Sequence, residues 1–493
     1  MAIAGTLVSL DPPLINSVTF GSTIVPGVLQ TFFNLTPDSQ IEPMLAVSHE
    51  IAKDQVTWTL HLRKGVQFHD GSPWTASVAK ANLDRYLGNP AKFARPQQYN
   101  FITDTVAVDD LTFQFKTRTP HSGTLHWLTW FSMAMHSGEA LKKYGNDAGL
   151  HGIGTGPFKV KTFVPLQTCL LERNDAYWGD KALIQSLNVV NVPDPNGRAA
   201  IVQSGQAQIS LTIPGASKPA VQANKALTLI DAPSVRIIYI GLNCDNPILA
   251  DVRVRQAINY AVDADAILKN VLLGDGDLLH SVMPQQVRYY KAQKPYEYDP
   301  AKAKSLLEEA GWKAVEGEAR TKDGKPLVLE IRTTDGYWAG DRATCEAVQQ
   351  YLGDVGIKVD LRIVVQDAYF AYLLDPKNAT TTGLNYGGYG GAIVDPTQNL
   401  SSFTSDLKRA GILGRFHRFK SPEYDAAYEK MLVSVADEQA CRAAAEEAQR
   451  IAWEGAPWIF LFTLKQLAAT SSKLSGFALT PQEGFNLGKI QLK

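Results

Sequence analysis

The chain is short of cysteine, of net charge and of long apolar runs, and each shortage removes a class of function. Its 493 residues hold four cysteines, Cys169, Cys244, Cys345 and Cys441, which are widely scattered and never spaced as C-x-x-C. A zinc ribbon and a thioredoxin-like dithiol are therefore excluded. Single cysteines of this kind are ordinarily small buried residues, and one or two disulfides stay open if the protein is exported. Lysine and arginine number 48 against 49 acidic residues, a formal charge of −1. That balance offers no nucleic-acid surface and no basic membrane-binding face. No apolar run reaches the length needed to span a bilayer. The first lysine or arginine is Lys53, so the opening MAIAGTLVSLDPP lacks the charged-then-apolar pattern of a secretory signal. Met1 then opens either a cytoplasmic protein or a chain whose export signal has been removed.

Catalytic signatures are missing too. The chain holds no H-E-x-x-H, no G-x-S-x-G and no G-x-x-x-x-G-K-[ST]. GIGTGP (152–157) departs from the G-x-G-x-x-G spacing, and the FKVKTF that follows reads as a strand where a phosphate-binding helix would begin. The closest histidines, His121, His126 and His136, have no companion cysteine or carboxylate at a ligand-like spacing and read as separate packing and surface residues. No catalytic residue, metal ligand or cofactor is assigned, and an enzyme is not expected.

What is present is the balance of a soluble globular protein: 45% hydrophobic and 20% charged residues, on a length that calls for two or three domains. Val56, Trp58, Leu60 and Leu62 alternate with polar residues, the period of a half-buried strand. Lys64-Gly65 on one side and Asp70-Gly71-Ser72-Pro73 on the other bracket a second short strand, Val66 to His69. Thr75 then caps a helix to Leu87, with Val78, Leu83 and Leu87 inward. TVAVDDLTFQFKTRTP (105–120) reads as a hairpin. In the second half Asp251, Asp263, Asp299 and Asp437 each stand where a helix should begin. LVLEIRTT (327–334) and IKVDLRIV (357–364) are strands flanking a helix from Asp341 to Leu352, and WIFLF (458–462) is a short apolar strand. Strand, helix, strand in that order predicts an α/β layer with a parallel component.

Two segments suit a binding surface as well as a core. HWLTWFSMAM (126–135) concentrates Trp127, Trp130, Phe131, Met133 and Met135, which either pack inside or wall an adaptable apolar pocket. LNYGGYGGAIVDP (384–396) surrounds Tyr386 and Tyr389 with glycine, so that backbone can approach either a ligand or a neighbouring strand.

Residues 56–85, VTWTLHLRKGVQFHDGSPWTASVAKANLDR, resemble the signature of the family 5 extracellular solute-binding proteins that serve ABC importers, among them oligopeptide, dipeptide, nickel and opine binders. The resemblance runs along almost the whole chain. SLDP (9–12), EPMLAVSHE (42–50), GTGPFKV (154–160) and LERNDAYWGD (171–180) are similar to family blocks, in the family's order. So are LNCDNPILADVRVRQAINYAVDADAIL (242–268), YDPAKAKSLLEEAGW (298–312), YLGDVGIKVDL (351–361) and APWIFLF (456–462). The resemblance implies an α/β, two-lobed periplasmic-binding-protein fold (type II-like, cluster C) with an extra domain in the first lobe. Residues 1–45, 158–236 and 470–493 would form domain I, residues 46–157 the extra domain II, and residues 237–469 domain III, the second lobe. The chain would cross between lobes near Tyr239 and Ala468.

The implied function is that of the substrate-binding component of an ABC importer, closing two lobes over a small solute and presenting the closed form to permease subunits. A monomer in the periplasm, or on the outer face of the cytoplasmic membrane, is expected, with no nucleic-acid partner. In peptide-binding members an aspartate in the glycine- and aromatic-rich loop pairs with the peptide's α-ammonium. Here Tyr389 takes the aromatic position and Asp395-Pro396 the following D-P, and the ammonium-binding position falls on Ala392. Alanine cannot neutralise a buried cation. The implied solute is therefore opine-like, sugar-like, a chelate or another non-peptide rather than a free-amine peptide. Phe20, Ser22 and Ile24 fall on the family's early contact loop, Arg95 on its domain II contact segment, and Trp130 and His136 near a further one. Trp338, Tyr386, Tyr389, Gly390 and Ala392 complete the expected ligand-binding set, and Arg415 and His417 in GRFHRF add positive charge for an anionic ligand. The competing readings are an oligopeptide or dipeptide importer component, a hydrolase or peptide holder on the same scaffold, and a sensor.

Overall fold

The computed structural model describes residues 1–5, 7–15, 17–88, 98–381, 383–390 and 393–493. Its axis is a sheet of 11 strands built around two long antiparallel ones, Leu227–Leu242 and Trp458–Ser471. These pair from Leu227 opposite Ser471 to Gly241 opposite Trp458. We refer to them as the first and second crossing strands, and use first and second lobe as names for the two sides they join, the side of Ile209–Leu211 and the side of Leu384–Gly390.

On one side the first crossing strand continues into Leu384–Gly390, with Arg236 opposite Gly390 and Leu242 opposite Leu384. Val328–Thr333 and Lys358–Ile363 extend that side in parallel. On the other side the second crossing strand pairs with Ile209–Leu211, and the sheet proceeds through Ala2–Ile3, Ser186–Asn191, Thr168–Arg173 and Phe158–Val164. The register slips between the two sides, where Pro233 faces Lys465 but Ile237 faces Thr463. Proline cannot donate to the ladder, and a bulge is where a strand tolerates it. The Ser234 hydroxyl donates to the Leu464 carbonyl at 2.7 Å and accepts from the Arg236 N–H at 3.1 Å, replacing the interrupted ladder.

The WIFLF segment is thus longer than its apolar run suggests. Trp458–Phe462 lie in the second lobe, and the strand continues through the more polar Leu464–Ser471 because that half serves the first lobe. Tyr239 and Ala468 both lie on the crossing strands.

The first lobe carries a separate four-stranded sheet in the order Ala46–Ile51, Thr57–Leu62, Thr112–Thr117, Ile102–Ala107. Helix Ala76–Gly88 packs on it through Ala79, Leu83 and Tyr86, whereas Val78 and Leu87 are only partly covered. The turn before that helix is bolted to the glycine-rich segment 152–156. His69 Nε2 donates to the Gly156 carbonyl at 3.0 Å, and His69 Nδ1 accepts from the Gly154 N–H at 3.2 Å. Burial holds this neutral imidazole down at a pKa of about 4. Gly156 is required there: a Cβ would stand 2.5 Å from the Gly27 carbonyl oxygen.

In the second lobe Asp251, Asp263, Asp299 and Asp437 accept backbone N–H bonds at the starts of helices Val252–Ala261, Ala264–Asn270, Pro300–Glu309 and Glu438–Gly455. Each such cap is worth about 1 kcal/mol. All four cysteines are free thiols, three of them buried. Among the described residues no helix is long and apolar enough to cross a membrane.

Candidate functional site

A cavity of about 510 Å³ opens between the lobes, beside the crossing strands. The first lobe contributes Thr19, Leu211–Ile213, Leu479 and Glu483; the second contributes Ile238, Val271–Leu273, Trp338 and Gly388. The crossing strands themselves supply Ser234, Arg236 and Leu464–Ala468. The wall is mostly apolar, with a small number of placed polar groups, as ligand pockets are.

Those polar groups are already paired. Arg236 Nε donates to Glu483 Oε1 at 2.9 Å, and the Thr19 hydroxyl donates to Glu483 Oε2 at 2.9 Å. The Glu483 carboxylate raises the Arg236 pKa in turn. Asp275 is ion-paired to Lys218, whose ammonium also meets Asp231 at 3.0 Å. Burial opposes the Lys218 charge, but the bonds to Asp275 and Asp231 outweigh it, and its pKa is raised. The turn that carries Glu483 hangs on the first crossing strand. Gln466 donates to the carbonyls of Pro233 and Thr480, each at 2.8 Å, and the Val235 N–H donates to the Pro481 carbonyl at 3.2 Å.

Below that turn lies a smaller cavity of about 420 Å³, which includes Ser22, Gln30, Trp130, Phe131, Tyr177 and Phe485. Gln30 organises its floor: Oε1 accepts from Thr155 and from Trp178 Nε1, both at 2.9 Å, and Nε2 donates to Tyr177 at 2.8 Å.

A third set of contacts joins the lobes directly. His126 Nδ1 lies 3.1 Å from Asp395 Oδ2, and Arg288 Nη2 lies 3.4 Å from the same oxygen. The Asp395 carboxyl is fully buried, which works against its charge. Its contacts with His126 and with the Arg288 guanidinium, and the Thr397 bond, nonetheless hold its pKa well below the usual carboxylate range.

The expected ligand-binding residues distribute unevenly over these places. Trp338 lines the interlobe cavity and touches the rings of Tyr337, Tyr369 and Tyr386. Tyr386 is buried behind it and donates to the Ala339 carbonyl at 2.6 Å. Tyr389 and Gly390 end the strand Leu384–Gly390, opposite Ile237 and Arg236. Ser22 and Trp130 line the smaller cavity. Phe20 and Ile24 are fully buried in the first-lobe core.

The segment Phe20–Ile24 is helical, not a loop. It lies inside Val18–Val28, a helix started by Ser17, whose side chain accepts from the Phe20 N–H at 3.3 Å. That places Phe20 and Ile24 on the inner face and Ser22 apart from them. His136 is fully buried, its Nε2 3.7 Å from Asp11 Oδ1, and burial pushes its pKa down to about 4. It sits with Arg85 and Asp11 inside the first lobe. Arg95 and Ala392 lie outside the described residues.

His417 corrects the expected positive charge of GRFHRF. It is wholly buried, and burial holds its pKa down at about 3, so it is neutral and offers nothing to an anion. Arg236 and Glu483 were not singled out for the cleft from sequence, whereas His126 and Asp395 stand in the two segments that suited a binding surface. Arg236 carried a local signal, a lone cation inside the apolar run VRIIYIGL.

Residues 40–410 match the family described as bacterial extracellular solute-binding proteins, family 5 middle. The glutathione-binding protein GsiB of Pectobacterium atrosepticum is 31% identical, over 100% of this chain and 93% of its own length. GsiB of Salmonella choleraesuis is 30% identical, over 100% and 94%. Among solved structures, NikA from Brucella suis in complex with Fe(III)-EDTA superposes with a TM-score of 0.87 at 25% identity, covering 100% of this chain and 99% of that one. HbpA2 from Haemophilus parasuis gives a TM-score of 0.88 at 22% identity, over 100% and 99%. The chain belongs to the bacterial extracellular solute-binding proteins of family 5. It has their two-lobed fold and is the substrate-binding component of an ABC importer.

Proposed function

We propose that this protein captures a small non-peptide solute between its lobes on the periplasmic side of the membrane and hands it, unaltered, to its permease. The solute is opine-like, sugar-like or a chelate rather than a free-amine peptide. We take domain I as residues 1–45, 158–236 and 470–493, domain II as 46–157 and domain III as 237–469. The working form is a monomer, and the ligand-binding set combines the interlobe cavity with the Trp130 and Tyr389 regions.

One observation carries the solute class. Among the described residues, the cavity's two carboxylates are committed, Glu483 to Arg236 and Thr19, and Asp275 to Lys218. Asp395, in the glycine-rich segment, is held by His126 and Arg288. An incoming α-ammonium would have to break one of these pairs, and leaving a buried charge unpaired is costly. A neutral polyol makes no such demand, and an anionic chelate can meet Arg236, whose side chain keeps 42% of its exposure beside Glu483. The Fe(III)-EDTA bound by NikA is a chelate of this kind.

A second reading is favoured by the 31% identity with a glutathione-binding protein: the solute is glutathione or a related peptide. Isothermal titration separates the two. The panel is Fe(III)-EDTA, an opine, glutathione, and dipeptides with free and N-acetylated termini. Binding of a non-peptide, with dipeptides indifferent to acetylation, is expected. Tight binding of free-amine dipeptides that acetylation abolishes overturns the first reading.

A further inference from the structure

His126 and Asp395 meet from opposite lobes, and the contact is built rather than incidental. His126 lies on the short helix Thr124–Trp127, whose Trp127 packs in the first-lobe core. Asp395 caps helix Pro396–Ser401, which packs against the second-lobe helices Pro422–Val433 and Glu438–Gly455. Their side chains are 6% and 0% exposed.

Asp395 divides its carboxylate between two tasks. Oδ1 accepts from the Thr397 N–H at 2.9 Å and the Thr397 hydroxyl at 2.7 Å, both within its own lobe. Oδ2 faces Arg288, also of its own lobe, and His126, which is not. The His126 contact is therefore the part of this cluster that forms when the lobes meet.

Two neighbours mark the same seam. The Ser122 N–H donates to the Leu432 carbonyl at 3.1 Å, from the first lobe to the second. Gly123 stands between Ser122 and the His126 helix, and a Cβ there would lie 2.2 Å from Thr397 Oγ1 and 2.8 Å from Asp395 Oδ1. The lobes approach as closely as glycine permits. Ile393, two residues before Asp395, is buried among first-lobe residues that include Trp127 and Trp130.

We infer that His126 is a positioning residue for solute capture: through Asp395 it clasps the end of the glycine-rich segment to the first lobe when the lobes close. Asp395 keeps Thr397 and Arg288 in either arrangement and trades water for His126 on closing. The clasp thus adds its energy to the closed form alone, and an interaction made in one of two states shifts the population toward that state. The inference rests on the two-lobed binding reading but on no particular solute.

The test is hydrogen exchange at the Ser122 amide, whose bond crosses the seam. Wild type, H126F and D395N are compared, each alone and with glutathione added. Asparagine keeps the Oδ1 acceptor that caps helix Pro396–Ser401, so D395N spares that cap while losing the Arg288 pair, and H126F, which leaves Asp395 with Arg288 and Thr397, isolates the interlobe contact. Protection of Ser122 in wild type in either condition, lowered about tenfold in both variants, is expected. Amides of strands Val328–Thr333 and Thr57–Leu62 should exchange as before. A Ser122 amide that exchanges freely in wild type under both conditions overturns the inference, and so does one equally protected in the variants. Loosening of those lobe-internal strands along with Ser122 assigns His126 to the fold and overturns it as well. Failure of glutathione to bind bears on the second solute reading and not on the clasp, which the solute-free measurement reads by itself.

Discussion

Acid should weaken the second lobe through His417. The ring is fully buried, stacked on Phe403 at 5.1 Å and edge-on to Trp458 at 5.9 Å between centroids. Its Nδ1 accepts from the Phe419 N–H at 3.2 Å, so the folded state holds the neutral imidazole. Burial, helped by the charge of Arg255, sets the folded pKa at about 3. In the unfolded chain the same ring titrates near ~6.5. Below that value the unfolded state takes up a proton that the folded state refuses. Stability is therefore fully present above the unfolded pKa and falls as pH drops from there toward the folded one. At about pH 5 the linkage amounts to ~2 kcal/mol from this residue alone.

The variant that isolates it is His417→Asn, whose side-chain oxygen can take the Phe419 N–H and which does not titrate. Lost ring packing lowers its stability at neutral pH by about 1–3 kcal/mol. Urea unfolding followed by circular dichroism should show that gap shrinking by ~2 kcal/mol between about pH 7.5 and pH 5. His69 and His136, both held down at about 4 by burial, destabilise the two proteins equally in acid and cancel in the comparison. A gap of the same size at both pH values would refute the reasoning, because His417 would then be titrating alike in both states.

Gly156→Ala should cost about 3 kcal/mol or more, because the new methyl meets the backbone oxygens of Gly27 and Val28 at 2.5 and 2.8 Å, and neither can rotate away; a thermal midpoint within about 2 °C of wild type would count against it. Ser234→Ala removes the hydroxyl that bridges the Arg236 N–H and the Leu464 carbonyl, and should speed exchange of the Arg236 amide about tenfold with little change in global melting. Unchanged exchange there would mean that the bulge does not depend on Ser234.

Local features were readable in advance where one side chain decides the local geometry. An aspartate placed just before a helical period favours the cap, and Asp251, Asp263, Asp299 and Asp437 do so. The alternation through Val56–Leu62 likewise gives the strand Thr57–Leu62 with Trp58, Leu60 and Leu62 inward. Features that depend on two distant segments were not readable. The second crossing strand outruns its apolar run because its polar half is covered by Leu227–Pro233 and Ile209–Leu211. The inner face of helix Ala76–Gly88 is shifted toward Ala79 and Tyr86, since the neighbouring Tyr99 ring at 4.8 Å selects Tyr86. The aromatic stretch 126–135 turned out to serve two cores at once, with Trp127, Trp130 and Phe131 in one and Leu128, Met133 and Met135 in the other. Resemblance supplied the lobes; it did not supply the charges between them, which pair only after the chain has folded.

Those charges explain how such a protein can both close and reopen. An interface of large apolar area would hold the lobes together without a solute, since burial contributes about 25 cal/mol for each Å² removed from water. Here the seam combines apolar contacts, such as Ile393 in the first-lobe core, with polar ones. Arg236 and Glu483 pair beside the cavity within the first lobe, with Glu483 15% exposed and Arg236 42% exposed, so water screens the pair only from the Arg236 side. The His126–Asp395 pair is buried, but desolvation offsets much of its attraction. The backbone bond from Ser122 to Leu432 adds about 1 kcal/mol net. Contacts of this kind fix where the lobes meet more firmly than they fix whether they meet. A solute that touches both walls of the cavity shifts the balance toward the closed form by its differential affinity for that form.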